Sequence, residues 1–275
     1  MEDNLVWLRA SLFCCTSNWG KLFQDGILSF IKSDEAKFVK NYTIELNYLS
    51  GTNIRFSLLT EYENALSTAQ SLHVFFNDFF KGANLDDNKA AFPVDGIFMP
   101  FPSNSIQFGL FEQTLSDQID IEFEQELSKV LLVALSQAEV TGETIFTLGF
   151  YLNTTAVKVL SSYYHIPSLT ETTTYAVEKD IVEGYNFASN CLVEVTHSIF
   201  EMTSFDEDLQ WLKDWEEICK EKIATLVQSE ETLNSAYSHI ENKVGNKLSM
   251  KGKPRATLNY YIHQSLNLYH GEIRA

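Results

Sequence analysis

The chain has 275 residues, of which 45% are hydrophobic and 13% aromatic, and it carries a formal net charge of −17 at pH 7. The composition excludes a disordered chain, which lacks the apolar residues for a core. The charge argues against general nucleic-acid binding, because phosphate contacts depend on Lys and Arg. The first apolar run follows acidic residues and contains Arg9, unlike a signal peptide. Since no stretch approaches the ~20 apolar residues of a membrane span, we predict a cytoplasmic protein with no membrane partner.

The first part of the chain alternates between strand and helix patterns. Short runs rich in β-forming residues predict strands, and apolar residues at helical spacing predict helices. The predicted elements are, in order, a strand from Leu5 to Phe13, a helix capped by Ser17 and Asn18 and reaching about Ile31, a β-hairpin of two runs that begin at Asn41 and Asn53, a helix after a capping-box sequence from Thr60 to Glu63, a loop or lid from Gly82 to Ser103, and a strand from Ser105.

The sequence pattern after this strand predicts helices only. They are expected from about Ile119, from Glu143 to about Tyr164, from about Asp180, Asp206 and Ser229, and from Pro254 to about Tyr269. This separation of strands and helices indicates the α+β class, with an N-terminal antiparallel sheet and packed helices followed by a mainly α-helical C-terminal half. We predict a single unit over residues 1–275, with a sheet-containing part at 1–115 and a mainly helical part at 116–275.

The motifs of common enzyme classes are absent from the sequence. There is no G-x-G-x-x-G, no G-K-[ST] phosphate loop, no G-x-S-x-G elbow and no H-E-x-x-H helix. The four cysteines form no C-x-x-C pair, and no three or four metal-ligating side chains stand at a recognisable spacing. We therefore expect neither a metal nor a cofactor.

The C-terminal segment from Lys243 onward is basic, in contrast to the rest of the chain. Its cations are Lys243, Lys247, Lys251, Lys253, Arg255 and Arg274. With Glu272 as its one acid, the segment carries +5, so the other residues carry −22. Such a run is either a solvated surface or an anion-binding segment. His263 and His270 share one face of the last predicted helix, two turns apart, and either pack there or form part of a site.

Arg55 stands in the middle of a predicted strand. Ile54 and Phe56 flank it, so its side chain points to the opposite face from theirs. A cation at such a position needs solvent or a partner. Two alternatives stay open, namely a structural pair with Glu45 on the facing strand and a clamp for a carboxylate or phosphate.

Several segments together resemble the C-terminal glutamate-elimination domain of lantibiotic dehydratases, which also occurs alone in thiopeptide-type bacteriocin biosynthesis proteins. They are the opening run Trp7 to Phe13, the strand Asn53 to Leu58, the strand near Gln107 to Glu112, and the C-terminal helix with its histidines. In that family a full enzyme adds glutamate from glutamyl-tRNA to Ser or Thr of a precursor peptide, and this domain expels it. A relative of the domain performs the pyridine-forming cycloaddition of thiopeptides.

The chain departs from the family pattern at some of these positions. The family strand resembles H-x-R-x-R, and Arg55 matches its first arginine, whereas Asn53 replaces the histidine and Ser57 the second arginine. Near the C-terminus Ser265 keeps the start of an S-L-x-H-M-like run, with His270 displaced. These losses bear on the elimination chemistry more than on the fold.

The resemblance implies roles for the chain's few cations. Arg55 would hold a carboxylate, and His263 or His270 would move a proton. Lys251, Lys253, Arg255 and Arg9 would bind the anionic substrate. We expect Arg55, one of these histidines and the basic loop to border one cleft.

Two functions follow from the resemblance, and both stay open. The first is a stand-alone lyase or cyclase that acts on a modified precursor peptide, with a separate glutamylating dehydratase subunit as a further partner. The second is a non-catalytic subunit that binds the precursor peptide and presents it to another enzyme.

Overall fold

The computed structural model describes residues 4–48, 51–86, 101–111, 118–163, 178–201, 207–227 and 233–273. Most of the loop or lid predicted from Gly82 to Ser103 lies outside these residues, as does Arg274. Contacts within the chain divide it into two compact units, one of residues 1–145 with 247–249 and one of residues 146–246 with 250–275.

The first unit is built on a four-stranded antiparallel sheet. Its strands are β1 (Leu5–Phe13), β2 (Val39–Asn47), β3 (Asn53–Glu61) and β4 (Ser105–Phe108), in the order β2-β3-β1-β4. The predicted hairpin is confirmed as β2 and β3. Between them Gly51 has φ +106°, in a region that favours glycine.

The described helices agree with the predicted order. They are α1 (residues 19–32, with a π-helical stretch at Leu22–Leu28), α2 (Ala65–Gly82), α3 (Gln118–Ser136), α4 (Gly142–Tyr163), α5 (Lys179–Glu201), α6 (Gln210–Leu226), α7 (Leu233–Lys247) and α8 (Lys253–Ile273). With the sheet before most of the helices, the α+β class is confirmed.

The sheet packs one face against α1 and α2 through phenylalanine rings. Phe56 of β3 is fully buried, and its ring centroid lies 6.2 Å from Phe30 of α1 and 6.3 Å from Phe76 of α2. Such edge-to-face pairs are favourable beyond the burial of their area. The side chains of Ile54 and Leu58 share this face with Phe56 and are also fully buried. The opposite face of β3 therefore belongs to Asn53, Arg55 and Ser57.

The capping-box prediction for α2 is wrong. Thr60 still lies in β3, and its hydroxyl donates to the carbonyl of Phe38 at 2.9 Å. The chain then passes through a 3-10 turn at Tyr62–Asn64 before α2 begins, without a side-chain cap. A strand pairing held by distant residues thus overrides a local signal.

The predicted N-cap of α1 is also wrong in its detail. Asn18 lies in a 3-10 turn, Thr16–Asn18, and its side chain caps no helix amide. Its amide group instead donates to the carbonyl of Asp86 at 3.0 Å and accepts from the Asp86 N–H at 3.1 Å. This amide ties the segment after α2 to the start of α1.

In the second unit, α5 and α8 lie side by side and run in the same direction. Near their first turns the Lys253 ammonium contacts Asp180 at 2.7 Å, and near their last turns the rings of Tyr269 and Phe200 are 4.7 Å apart. α4 and α6 are joined by the buried Trp215, whose indole N–H donates to the carbonyl of Leu152 at 2.8 Å.

Within the described ranges, no helix combines the length and the apolar character needed to cross a membrane.

Candidate functional site

The sheet face opposite the phenylalanine core carries a polar patch, which we call the polar face. Antiparallel register places Ser11 opposite Arg55 and Arg9 opposite Ser57 on the same side of the sheet. On the other side of Arg55, Glu45 of β2 completes the row. The polar face, as we use the term, consists of Arg9, Ser11, Glu45, Asn53, Arg55 and Ser57.

The small side chains of the polar face are deeply buried. Ser11 is 3% exposed, Asn53 1% and Ser57 2%. Buried polar groups are costly unless they find partners, and Asn53 donates from its side-chain amide to the carbonyl of Gly51 at 2.8 Å. The two arginines therefore stand on a sheet face beside buried hydroxyl and amide groups, where a charged contact is stronger than at an open surface.

Arg55 makes the structural pair that the sequence left as one alternative. Its Nη1 lies 2.8 Å from Oε1 of Glu45, and the two side chains are 23% and 30% exposed. The ring of Phe111 covers the guanidinium, with its centroid 4.8 Å from Cζ. Within the described part of the chain the other N–H groups of Arg55 make no hydrogen bond. Arg55 can therefore donate to a ligand while it remains paired with Glu45.

Arg9 is held differently from Arg55. Its Nε is buried and has no hydrogen-bond partner among the described residues. Because Arg9 faces Ser57 and Arg55 stands two residues before Ser57, the two arginines are diagonal neighbours, with α-carbons roughly 7–8 Å apart. Two of the four arginines of this acidic chain thus meet on one sheet face. The arrangement suits a carboxylate or a phosphate, which planar guanidinium groups bind well.

The first unit also has a groove of about 560 Å³ between α2 and the turn Asp34–Ala36. Val74, Phe75 and Phe79 line it together with Glu35 and Asp78. Its charged groups are acidic, so it does not suit the anionic substrate that the resemblance implies.

The predicted substrate-binding cations of the C-terminal segment lie in the second unit. Arg255 is bound by Glu241, whose Oε1 accepts from Nε at 2.6 Å and whose other oxygen accepts from Nη2. Lys253 contacts Glu178 at 2.6 Å and Asp180 at 2.7 Å. Lys251 is exposed and makes no ion pair with the described residues. Much of the positive charge in this segment is therefore matched by acids of the same unit.

Hydrogen bonding in these ion pairs raises the pKa of the two cationic side chains. Hydrogen bonds to Asp180 and Glu178 raise the pKa of the Lys253 ammonium above its usual range. The hydrogen bonds that Arg255 donates to Glu241 likewise raise the pKa of Arg255. Both side chains stay cationic at any pH at which the protein would work.

The predicted catalytic histidines are both on α8. His263 is half-buried beside Asn267, whose amide lies 3.4 Å from Nδ1. His270 lies one helical turn below the end of α8, with its ring centroid 6.2 Å from that of Phe200 and 5.3 Å from that of Tyr269. The two histidines have different surroundings, polar for His263 and aromatic for His270.

A tyrosine cluster between α5 and α8 was not predicted from the sequence. The ring of Tyr185 lies 5.5 Å from that of Tyr261 and 5.9 Å from that of Tyr260. Burial raises the pKa of the Tyr185 hydroxyl, while the nearby Ser265 hydroxyl, itself fully buried, opposes the rise. In the sequence, Ser265 drew attention to this part of α8, because it matches the start of the family's S-L-x-H-M-like run.

The structure thus brings together Arg9 and Arg55 in the first unit and gathers the other predicted site residues in the second. The cleft predicted to join Arg55 to the histidines and the basic loop stays a prediction. Among the described residues, no group of three or more His, Cys, Asp or Glu side chains is arranged to hold a metal ion.

Comparison with known proteins gives three similar solved structures. No protein-family profile and no curated sequence matches the chain. The pyridine synthase TbtD from thiomuracin biosynthesis matches with a TM-score of 0.73 and 14% identity, over 96% of this chain and 99% of that one. The tRNA-dependent lantibiotic dehydratase MibB from Microbispora sp. 107891 matches with 0.62 and 13%, over 95% of this chain and 28% of that one. TsrL matches with 0.62 and 11%, over 97% and 96%.

These likenesses establish the fold. The chain has the architecture of a whole pyridine synthase and of about a quarter of a lantibiotic dehydratase, spanning 28% of the latter's length. The family resemblance inferred from the opening run and the β3 strand is thereby confirmed at the level of the fold.

Proposed function

We propose that this chain is an enzyme of ribosomal peptide biosynthesis that acts on a modified precursor peptide, with glutamate elimination as its reaction. The observation that carries the proposal is the meeting of Arg9 and Arg55 on the polar face. The family-like strand has lost its second arginine at Ser57, and Arg9 stands directly opposite that position. In the proposal, Arg9 on the neighbouring strand β1 supplies the second cation that β3 lacks.

Elimination requires the groups that such a face supplies. A base takes the Cα proton of the glutamylated residue, the electron pair of the Cα–H bond forms the Cα=Cβ bond, and the Cβ–O bond breaks to release glutamate through the carboxylate that formed the ester. In the proposal Arg9 and Arg55 hold carboxylate oxygens of the glutamyl group and stabilise the charge that develops on leaving. His263 or His270 takes the proton.

Cyclisation is the second candidate reaction. It is favoured by the comparison with TbtD, a pyridine synthase whose full length the chain covers to 99%, whereas it covers only part of the dehydratase. The same polar face would then orient the peptide backbone or a carboxylate rather than expel glutamate.

A non-catalytic role as a presenter of the precursor peptide stays as the alternative from another class. The replacement of family residues by Asn53 and Ser57 favours it, because an inactive relative keeps its fold while losing reactive groups. In that case Lys251, Lys253 and Arg255 would attract the peptide by charge alone.

The test uses the wild-type protein, Arg55→Gln and Lys40→Gln. Lys40 is an exposed cation of the same sheet, 54% exposed and paired with Glu61, and serves as the matched control. Each protein is incubated with glutamylated precursor and, separately, with dehydrated precursor, and products are followed by mass spectrometry. We expect loss of glutamate with wild type and Lys40→Gln, and a decrease of about 100-fold or more in kcat/KM for Arg55→Gln.

The outcomes separate the candidates. Conversion of the dehydrated peptide alone would replace elimination by cyclisation. Binding without any product, and with an affinity that Arg55→Gln changes, would establish the presenter. A wild-type protein that neither binds nor converts either peptide would overturn the proposed function.

A further inference from the structure

The two edge strands of the sheet, β2 and β4, differ in whether their outward-pointing backbone groups are hydrogen-bonded. At the β2 edge, two of the outward-pointing backbone N–H groups have partners, and α3 lies beside the strand. The N–H of Ile44 donates to the hydroxyl of Ser128 on α3 at 3.0 Å, and the N–H of Tyr42 donates to the side chain of Asn41 at 2.9 Å. A sheet edge satisfied in this way cannot accept a further strand.

At the β4 edge the register shows which groups point outward. The N–H of Gly109 donates to the carbonyl of Arg9 at 3.0 Å, so Gly109 turns its backbone groups toward β1. In an antiparallel ladder this orientation alternates, and Gln107 and Ser105 also face β1. Ile106 and Phe108 therefore present their N–H and C=O groups outward. Within the described ranges, no strand, helix or side chain hydrogen-bonds to them.

Within residues 105–110, this edge lacks the charged side chains and prolines that often block one. Phe108 is 38% exposed and Leu110 43%. The ring of Phe108 also lies 6.4 Å from that of His73 on α2, which forms the wall beside the edge.

We infer that the open edge of β4 docks an extended segment of the precursor peptide as a fifth strand, an inference that rests on the proposed function. Main-chain hydrogen bonds to Ile106 and Phe108 would hold the segment, and Phe108 and Leu110 would contact its apolar side chains. The four residues of β4 pair with about four residues of peptide. The segment recognised at this edge is uncharged or basic, since residues 105–110 carry no cation to bind an acidic one and the chain as a whole carries −17.

The position of the edge ties it to the polar face. Gln107, Ser11 and Arg55 stand in one row across β4, β1 and β3. With strands ~4.8 Å apart, a peptide docked at the edge runs about 14 Å from the backbone of Arg55. The edge thus fixes the register of the peptide relative to the two arginines. A second copy of this chain is a poorer occupant, because two chains of charge −17 repel each other.

The first experiment removes one outward donor. Phe108→Pro deletes the N–H of residue 108, which β1 does not use, and Phe108→Val is the matched control that keeps this N–H and an apolar side chain. Short labelled peptides that tile a candidate precursor peptide are titrated against both variants and wild type by fluorescence anisotropy. We expect Phe108→Pro to weaken the best peptide by about 10-fold relative to Phe108→Val, as the loss of one hydrogen bond predicts.

A second experiment tests which backbone N–H groups of the peptide bind to β4. Single N-methyl groups are placed at successive positions of the best-binding peptide. Because alternate residues of a docked strand turn their N–H groups toward β4, weakening must alternate with a period of two. Uniform effects, or equal affinities of Phe108→Pro and Phe108→Val with unchanged melting temperatures, would overturn the docking mode.

The failure of the inference is distinguishable from that of the proposed function. Peptide conversion that depends on Arg55 but not on the Phe108 N–H removes the edge and leaves the function. Failure of every tiled peptide to bind wild type at up to about 1 mM overturns the docking site regardless of activity. A dimer by light scattering that Phe108→Pro dissociates would assign the edge to a second copy and also overturn the inference.

Discussion

Arg9 and Arg55 lie on the same sheet face but differ in what already stabilises them. Arg55 is compensated by Glu45 and covered by Phe111, so an incoming anion shares it with an existing partner. Arg9 has a buried Nε without a partner in the described part of the chain. A buried donor left unpaired is costly, and a ligand that satisfies it recovers that cost on binding. Arg9 is therefore expected to respond more strongly to an anion than Arg55.

The first prediction concerns Arg9. Arg9→Gln should lower kcat/KM for the glutamylated peptide by about 100-fold, because one of the two cations near the leaving carboxylate is removed. Arg9→Lys should recover only part of the loss, since an ammonium lacks the planar fork of a guanidinium. Steady-state kinetics of both variants tests this. Equal activities of Arg9→Gln and wild type would remove Arg9 from the site and leave Arg55 alone.

The second prediction concerns Glu216 in the second unit. Although burial raises the pKa of this carboxyl, hydrogen bonds from Lys158 and Lys220 outweigh it and hold the pKa below its usual value. A folded-state pKa below the unfolded one stabilises the fold above the unfolded value of ~4.3. That stabilisation is lost as the pH falls through the folded pKa.

Replacing Glu216 should therefore change both stability and its pH dependence. Glu216→Gln should lower the free energy of unfolding at pH 7 by about 1.5–3 kcal/mol and flatten its fall between pH 5 and pH 3, roughly the range below the unfolded pKa. Glu217→Gln is the control, since Glu217 is 59% exposed and its ion pair is with Lys220, which is 41% exposed. Chemical denaturation at several pH values decides, and equal pH profiles for the two variants would contradict the assignment.

At the scale of elements, local patterns predicted the strands and helices well. Alternation around Arg55 placed its side chain opposite Ile54 and Phe56, as the structure confirms. Arg9 could not be placed opposite Ser57 from the sequence, because the register of β1 with β3 joins segments about 50 residues apart and depends on the whole core. The local sequence pattern thus predicted the orientation of Arg55. It could not predict that Arg9 lies beside Arg55 on the sheet.

Helix starts were predicted less well than helix bodies. The cap signals at Asn18 and Thr60 failed because each side chain bonds to a distant backbone group instead. Tyr185 was missed since its role depends on the packing of α5 on α8, which no local pattern encodes. Both failures are cases in which tertiary contacts outweigh local propensity.

The third prediction tests that packing through Gly184. A Cβ added to Gly184 would collide with the Tyr261 hydroxyl, and the Tyr261 ring is held by Phe146 and Tyr185. Gly184→Ala should therefore lower the free energy of unfolding by about 1–3 kcal/mol, against the gain of about 1 kcal/mol expected in an unobstructed helix.

A double variant isolates the cause. In Gly184→Ala/Tyr261→Phe the colliding oxygen is absent, so stability should return to that of Tyr261→Phe or above it. Gly271→Ala on α8, where nothing lies within 4 Å of an added Cβ, is the control. Denaturant titration measures all four proteins. A double variant as unstable as Gly184→Ala alone would show that the collision is with something other than the hydroxyl.

At the scale of the whole molecule, the basic C-terminal segment does not stand apart as a free cationic surface. Lys247 forms a buried pair with Glu124 in the first unit, at 3.1 Å, and Arg255 is bound by Glu241 in the second. Arg255 is only 23% exposed, so its removal would leave a buried carboxylate uncompensated and damage the fold. A test of charge attraction must therefore use Lys251, which is exposed.

The last prediction separates local attraction from net charge. Lys251→Ala and Lys40→Ala each change the net charge from −17 to −18, but only Lys251 lies in the segment proposed to attract the peptide. We expect Lys251→Ala to slow association of an acidic precursor segment at low salt and Lys40→Ala to leave it unchanged, since steering by a surface charge acts within about 10 Å at 0.1 M salt. Stopped-flow association rates at increasing salt measure this, and the difference between the variants should vanish as the salt screens it. Equal slowing by both variants would show that the peptide senses the overall charge of the chain, and the basic segment would then be a solvated surface that balances an acidic body.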